Sequence, residues 1–252
     1  MSSQKIIFKN AEGQDLSARL ELPDNGEVRA FALFAHCFTC NKNLTAIRTI
    51  SKTLNEKNIA VLRFDFTGLG ESEGEFEQTN FSSNVQDLQH AAQYLTDHFQ
   101  APKMLIGHSL GGAAVLAASQ KLPSVQAIVT IGAPSNPEHV SHLFKSSVDE
   151  INSSGKALVS IGGRDFTIQK QFLEDIKDQN IKSILDAYRS SILIMHSPQD
   201  TTVSIDNAAE IYKAARHPKS FISLNGADHL LSDKKDSAYV GSIIATWADR
   251  YL

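Results

Sequence analysis

Cysteine is scarce in this chain: two residues in 252, Cys37 and Cys40, three positions apart. Such a pair makes no disulfide framework and is expected of a protein kept in a reducing cytoplasm. Long hydrophobic runs are missing as well. The longest near-apolar stretch, residues 110–118, falls far short of the roughly 20 residues a membrane-spanning helix needs. The first ten residues, MSSQKIIFKN, hold no apolar core of a secretion signal, which adds to the expectation of a cytoplasmic location. Positive charge neither dominates nor clusters, with 24 Lys and Arg scattered against 28 Asp and Glu for a net charge of -4. That excludes the basic footprint of a nucleic-acid or anionic-membrane binder. Zinc would need a second ligand pair to accompany the two cysteines, and none stands at a suitable spacing. No internal repeat or low-complexity tract interrupts the chain.

What is present is ordinary globular composition, 42% hydrophobic and 21% charged, in a length that can bury one sizeable core without a staple. Glycine, proline and asparagine punctuate an alternation of strand-like and helix-like segments, the pattern of an α/β sheet. Residues 5–9 and 16–21 alternate apolar and polar, as in an antiparallel hairpin at a sheet edge. Residues 30–35, 60–64, 103–106, 125–131, 192–195 and 220–224 are continuously apolar and are expected as strands covered on both faces. Helical patterns fall at about 44–57, 85–99, 110–121, 207–215 and 238–251. The sum is eight strands, the first few antiparallel and the rest parallel.

The rhythm breaks once. Residues 132–190, 59 in all, separate the sixth and seventh of these strands, where a crossover needs only about a dozen. Within them, Asn136 and Pro137 read as a helix start, followed by Val140, Leu143, Phe144, Val148 and Ile151 at helical spacing. Residues 156–161 and 164–168 read as a hairpin turning on Gly162 and Gly163, and 169–177 as a helix with Phe172, Leu173 and Ile176 on one face. A small lid over the carboxyl ends of the strands is the natural use of such an insertion within a single domain, 1–252.

The sharpest chemical signal is Gly107-His108-Ser109-Leu110-Gly111, a G-x-S-x-G between an apolar strand and an Ala-rich helix, the context a nucleophile elbow requires. A serine hydroxyl is a poor nucleophile without a base, so a histidine and an orienting carboxylate are needed on later strand ends. Asp200 follows the strand at 192–195, and His229 follows the next one in Gly226-Ala227-Asp228-His229. Ser109 is thus the candidate nucleophile, His229 the base and Asp200 its orienter. Asp206, placed to start a helix, and Asp228, too close in sequence to face the ring, are weaker carboxylates. The oxyanion donors are expected to be the backbone N–H of Leu110 and that of Phe38 in the loop His36-Cys37-Phe38-Thr39-Cys40. His36 is expected to buttress that loop, Asp65 to fix the next one, and seven of the nine histidines to lie on the surface. Glu71, Glu73, Glu75 and Glu77 read as a solvated acidic stretch.

These segments, with Arg63-x-Asp65-x-x-Gly68-x-Gly70-x-Ser72, resemble the α/β-hydrolases over nearly the whole chain. More narrowly, AHCFTC, LRFDFTGLGESEGEF, IGHSLGGAAVLAA and ARHPKSFISLNGADHLLS resemble the hydrolase half of bacterial proteins in which this domain precedes an OsmC-like peroxidase domain. Cys37 departs from the glycine usual at its position. The resemblance implies an α/β-hydrolase fold with a mostly parallel eight-stranded sheet, and a serine hydrolase needing no cofactor. The chain ends at Leu252, so an OsmC-like domain is expected only as a separate partner, alongside a possible homo-oligomer. With Phe38 in the oxyanion loop and Phe144, Phe166 and Phe172 in the insertion, the expected substrate is a small acyl ester, acetyl to butyryl, in preference to long-chain lipids or peptides. Two other readings are a hydrolase-fold binding or regulatory module with a relic site, and a redox-sensitive protein using the Cys37 and Cys40 pair.

Overall fold

The computed structural model of the chain describes residues 2–252. Eight strands form one sheet in the order β1-β2-β4-β3-β5-β6-β9-β10: β1 Ser2–Lys9, β2 Asp15–Leu22, β3 Ala30–Ala35, β4 Ile59–Phe64, β5 Met104–His108, β6 Ala127–Ile131, β9 Ser191–His196 and β10 Lys219–Ser223. Two further strands, β7 Lys156–Ile161 and β8 Arg164–Gln169, pair only with each other. β1 and β2 join by antiparallel pairings at one edge, and every pairing from β4 to β10 is parallel. This is the α/β-hydrolase fold.

The five central strands β3, β4, β5, β6 and β9 are buried along their whole length, because helices cover both faces. Alternation within β3 divides its side chains between the two faces. Ala32 and Phe34 join the core under α1 Thr45–Asn55 and α8 Lys234–Ala248, whereas Phe31, Leu33 and Ala35 join the core under α2 Phe81–His98 and α3 Leu110–Ala118. α1 and α8 lie close, and a Cβ on Gly241 of α8 would stand 2.8 Å from Thr53. α2 starts on a reciprocal cap: Asn80 Oδ1 accepts from the Ser83 N–H at 2.8 Å while Ser83 Oγ accepts from the Asn80 N–H at 2.9 Å. α3 is apolar all round and nearly all buried, as the helix directly behind Ser109 must be. β10 departs from the expectation for residues 220–224. It is the last strand of the sheet, with Phe221 40% exposed, so its apolar composition does not mean cover on both faces.

Residues 132–190 hold a 3₁₀ segment Pro137–Ser147, α4 Val148–Ser154, the β7–β8 hairpin, α5 Lys170–Lys177 and α6 Ile181–Ala187. Asn136 caps the first of these through the Glu138 N–H, at 3.0 Å. The helical spacing from Val140 to Ile151 does not produce one helix, because Phe144 leaves helical geometry (φ -137, ψ 33) and divides the run. That break turns its ring inward, 3% exposed, while Leu143 is left 40% exposed. Gly162 and Gly163 both take positive φ, 58 and 76, as a two-residue hairpin turn demands. α6, begun by the Asn180 cap, was not foreseen from periodicity. The insertion is continuous with the sheet's core, since Phe144, Val159, Ile168, Phe172, Ile176 and Leu185 belong to the same apolar cluster as α2 and α3.

Candidate active site

Ser109 sits at the turn from β5 into α3 with φ 55 and ψ -126, a conformation costly for any residue with a Cβ. Tight flanks make the turn possible. A Cβ on Gly107 would collide with the Gly111 backbone, and one on Gly111 with the carbonyls of Ala35 and His36. The Ser109 N–H is anchored on the Ile131 carbonyl at 2.9 Å. The hydroxyl is thereby held at the ends of the central strands.

The fold brings Asp200 and His229 to this hydroxyl. His229 Nε2 lies 3.0 Å from Ser109 Oγ, and His229 Nδ1 lies 2.7 Å from Asp200 Oδ2. Asp200 Oδ1 accepts from the N–H groups of Thr202 and Val203, both at 2.9 Å. Burial alone would raise the Asp200 carboxyl, but the His229 ring and those two N–H groups outweigh it and hold it below its usual range. An ionised Asp200 keeps the proton on Nδ1, which leaves Nε2 free to accept from Ser109. The two rival carboxylates lie elsewhere. Asp206 begins α7 Asp206–Ala214, and Asp228 accepts from the Ser232 N–H at 2.9 Å.

Two histidines expected on the surface are buried here instead. His108, the last residue of β5, donates through Nε2 to the His229 carbonyl at 2.7 Å. Burial, with the His229 ring adding to it, pushes it down to about 3, so it is neutral. His196, the last residue of β9, donates to the Val203 carbonyl at 2.8 Å and lies 3.5 Å from Asp200 Oδ2. Each pins the backbone of one functional loop. Their only sequence signal is position at a strand end beside a functional residue.

The loop after β3 is a tight turn. Cys37 and Cys40 are joined in a disulfide with Cα atoms 5.3 Å apart, a bond that the reading of the pair as one suited to a reducing cytoplasm did not include. The Cys40 N–H donates to the Cys37 carbonyl at 3.1 Å, and Thr39 holds φ at 59. His36 Nδ1 also donates to the Cys37 carbonyl, at 2.8 Å. Farther along, the fully buried Lys42 pairs with Asp65 at 2.5 Å, and Arg63 Nη1 donates to the Lys42 carbonyl at 2.6 Å. The acidic stretch is partly drawn into this network. Glu71 reaches Lys42 Nζ at 3.1 Å, and Glu73 accepts from the Asp15 N–H at 2.8 Å.

Phe38 and Leu110 line one small recess together with His36, Leu69, Asn84 and Ala114, with a volume of about 10 Å³, room for about one water. The Phe38 ring packs on Phe172 at 5.3 Å, Phe76 at 5.6 Å and Phe144 at 6.5 Å, and Phe166 joins through Phe76 at 4.9 Å. Phe76, in a 3₁₀ turn before α2, is the member of this group that sequence reasoning missed. Arg164 stacks over Phe166 at 5.3 Å and donates to the Thr39 carbonyl, so the insertion grips the turn after β3 directly. A cavity of about 520 Å³ lies apart, between α6 and α7, and none of Ser109, Asp200 and His229 lines either space. Among the described residues no cluster of three or more His, Cys, Asp or Glu could hold a metal, and no helix is long and apolar enough to cross a membrane.

Known proteins of similar sequence and shape share this fold. An esterase domain from a Rhodothermus marinus protein is 47% identical and superposes with a TM-score of 0.82, covering 100% of this chain and 99% of that one. The rat monoglyceride lipase is 28% identical over 90% of this chain and 73% of its own length. An uncharacterized protein from Salmonella typhi, YfhR, is 25% identical over 80% of this chain and 65% of its own. The chain thus spans about two thirds to three quarters of these two curated relatives. Residues 26–158, more than half of the chain, match the family Hydrolase_4, described as serine aminopeptidase S33, and the chain belongs to that family of α/β-hydrolases.

Proposed function

We propose that this protein is a carboxylic-ester hydrolase acting on small acyl esters through Ser109, His229 and Asp200. The observation that carries the reading is the unbroken hydrogen-bond chain from Ser109 Oγ through the His229 ring to Asp200, 3.0 and 2.7 Å. Ser109 Oγ attacks the ester carbonyl as His229 Nε2 takes its proton. The tetrahedral oxyanion is met by the N–H groups of Leu110 and Phe38. His229 then returns the proton to the leaving alcohol, and water enters to hydrolyse the acyl-enzyme by the same steps. Asp200 holds the ring in the required tautomer and offsets the charge it acquires. The 47% identical esterase domain supports ester chemistry.

Residues 132–190 act as a lid on the acyl side. With Phe38, Phe144, Phe166 and Phe172 joined by Phe76 in one aromatic group, the acyl pocket is short and apolar. Acetyl to butyryl esters fit it; long lipids and polymers do not. The family's description names a peptidase, and a closed acyl side of this kind disfavours an extended peptide. A relic site in a binding module has no reason to keep all three groups in hydrogen-bond reach.

The test is twofold. A fluorophosphonate probe should modify Ser109, read by peptide mass spectrometry. The kcat/KM for p-nitrophenyl esters should rise from acetate toward butyrate, each fitted methylene adding up to ~0.8 kcal/mol, and then fall. A steady rise through decanoate, or labelling at another residue, overturns the reading.

A further inference from the structure

The turn that carries Phe38 holds more restraints than a loop connection needs, and they act on one peptide group. The Cys37 carbonyl accepts from both the Cys40 N–H at 3.1 Å and His36 Nδ1 at 2.8 Å. Because the peptide unit is planar and trans, its N–H points opposite its C=O. Drawing the Cys37 carbonyl back into the turn therefore aims the Phe38 N–H out of the turn. The turn is held against a local preference, since Thr39 is β-branched yet sits at φ 59, where glycine is the favoured residue. The Cys37–Cys40 disulfide spans these four residues and closes the turn covalently.

We propose that this disulfide is a positioning lock for the oxyanion donor, and that a dithiol reductant lowers turnover by opening it. The inference rests on the hydrolase reading above. Cys40 is half-buried, whereas Cys37 is only 4% exposed, so the reductant's thiolate attacks Cys40 Sγ. The Cys37–Cys40 bond breaks, Cys37 leaves as a thiolate and takes a proton, and a mixed disulfide forms at Cys40. The reductant's second thiol then attacks that mixed bond, releasing Cys40 as a thiol and closing the reductant's own disulfide. Two electrons and two protons pass from the dithiol to the protein. With the covalent tie gone, only hydrogen bonds hold the Cys37 carbonyl while Thr39 pulls toward negative φ, and the Phe38 N–H spends less time aimed at the substrate. His36 and Arg164 remain to hold the loop, so the protein stays folded.

The donor meets negative charge that exists only in the transition state, so its misplacement reduces kcat and leaves KM nearly unchanged. Outright loss of one oxyanion donor costs about 10²–10³ in rate, and loosening it should cost about 10- to 100-fold. The experiment measures p-nitrophenyl butyrate kinetics and the affinity for a trifluoromethyl ketone, which forms an oxyanion on Ser109, before and after dithiothreitol and again after reoxidation. Expected are a 10- to 100-fold fall in kcat, KM within about twofold, an equal loss of ketone affinity, and recovery on reoxidation. The double variant Cys37→Ala/Cys40→Ala should sit at the reduced level and ignore dithiothreitol. Undiminished kcat in enzyme shown by mass to be reduced overturns the proposal, as does a loss of rate with ketone affinity unchanged, or a double variant that still responds. If the double variant does not fold, the reversible wild-type cycle alone decides. Ser109→Ala separates the two readings: turnover persisting there defeats the hydrolase mechanism itself, whereas an inactive Ser109→Ala with a dithiol-insensitive parent defeats only the lock.

Discussion

The sheet side around Ser109 and the insertion around Phe38 are held by different physics. On the side made by the sheet, each functional group has a directional partner: Ser109 N–H on Ile131, Asp200 on Thr202 and Val203, His229 on Asp200, and His108 on the His229 backbone. On the side made by residues 132–190, most contacts near Phe38 are ring against ring, with Phe144, Phe166 and Phe172 contributing area more than direction. Directional contacts fix where charge can develop, and area contacts fix what shape fits. In the proposed mechanism, chemistry falls to the sheet side and selectivity to the insertion. Substitutions on the first should cut the rate for every ester, and those on the second should reorder esters.

The largest effect should come from Ser109→Ala, with kcat falling at least about 10⁴-fold and the melting temperature little changed. Ester turnover near the parent level in a folded variant would erase the division between the two sides. Next, Asp200→Asn should cost about 10³-fold, since the amide can hold the wrong tautomer of His229 and carries no charge to oppose the imidazolium. Asp206→Asn and Asp228→Asn should stay within about threefold, because their carboxylates face Ser204 and the Ser232 N–H, away from the His229 ring. Reversed ranks would mean that the carboxylate is misassigned.

The same division governs what the sequence alone displays. The strand–turn–helix around Ser109 shows in sequence because its requirements are local: glycine where a Cβ would collide, an apolar strand before, small residues after. The order of Asp200 and His229 shows because each lies in the loop that follows a strand of recognisable apolarity. The departures are all set by distant partners. Phe144 breaks a helical run to reach Phe38 and Phe172, rings 106 and 28 residues away in sequence. His108 and His196 are buried because each caps a loop that periodicity does not place beside it. The disulfide depends on a turn whose geometry spacing alone did not reveal, and β10 reads like a central strand because edge position leaves no mark in five residues.

On the insertion side, Phe172→Ala should destabilise the protein by about 3 kcal/mol, because it empties a site 3% exposed among Phe38 and Phe144. The kinetic signature is the more telling one. The vacated ring should admit longer chains, so the ratio of kcat/KM for hexanoate to that for acetate should rise about tenfold while Ser109 still reacts with fluorophosphonate. A uniform fall for all esters, with no change in ratio, would place this ring on the chemical side of the comparison.

The smallest effect is a pH slope, and it too belongs to the sheet side, which buries His36, His108 and Asp87. Burial lowers both histidines, His108 to about 3, so between their ordinary value of 6.5 and pH 4 the unfolded chain takes up protons that the folded one refuses. Stability from these groups is fully present above 6.5 and drains as pH falls. Asp87 acts in the opposite sense. Burial raises it to about 6 despite hydrogen bonds from the Thr67 N–H and hydroxyl, so below that pH the folded state binds a proton that the unfolded state, at 3.8, does not. Two protons against one leave a net loss of stability as pH falls from 6 to 4. His196 and His139, also lowered by burial, steepen it. Asp87→Asn, which can still accept from Thr67, removes the compensating proton and the cost of a buried charge at neutral pH. Urea unfolding at pH 7.5, 6 and 5 should therefore find the variant more stable than the parent at pH 7.5, with the margin shrinking as pH falls. A margin independent of pH would show that Asp87 does not titrate between the two states, and would return the acid sensitivity to the histidines alone.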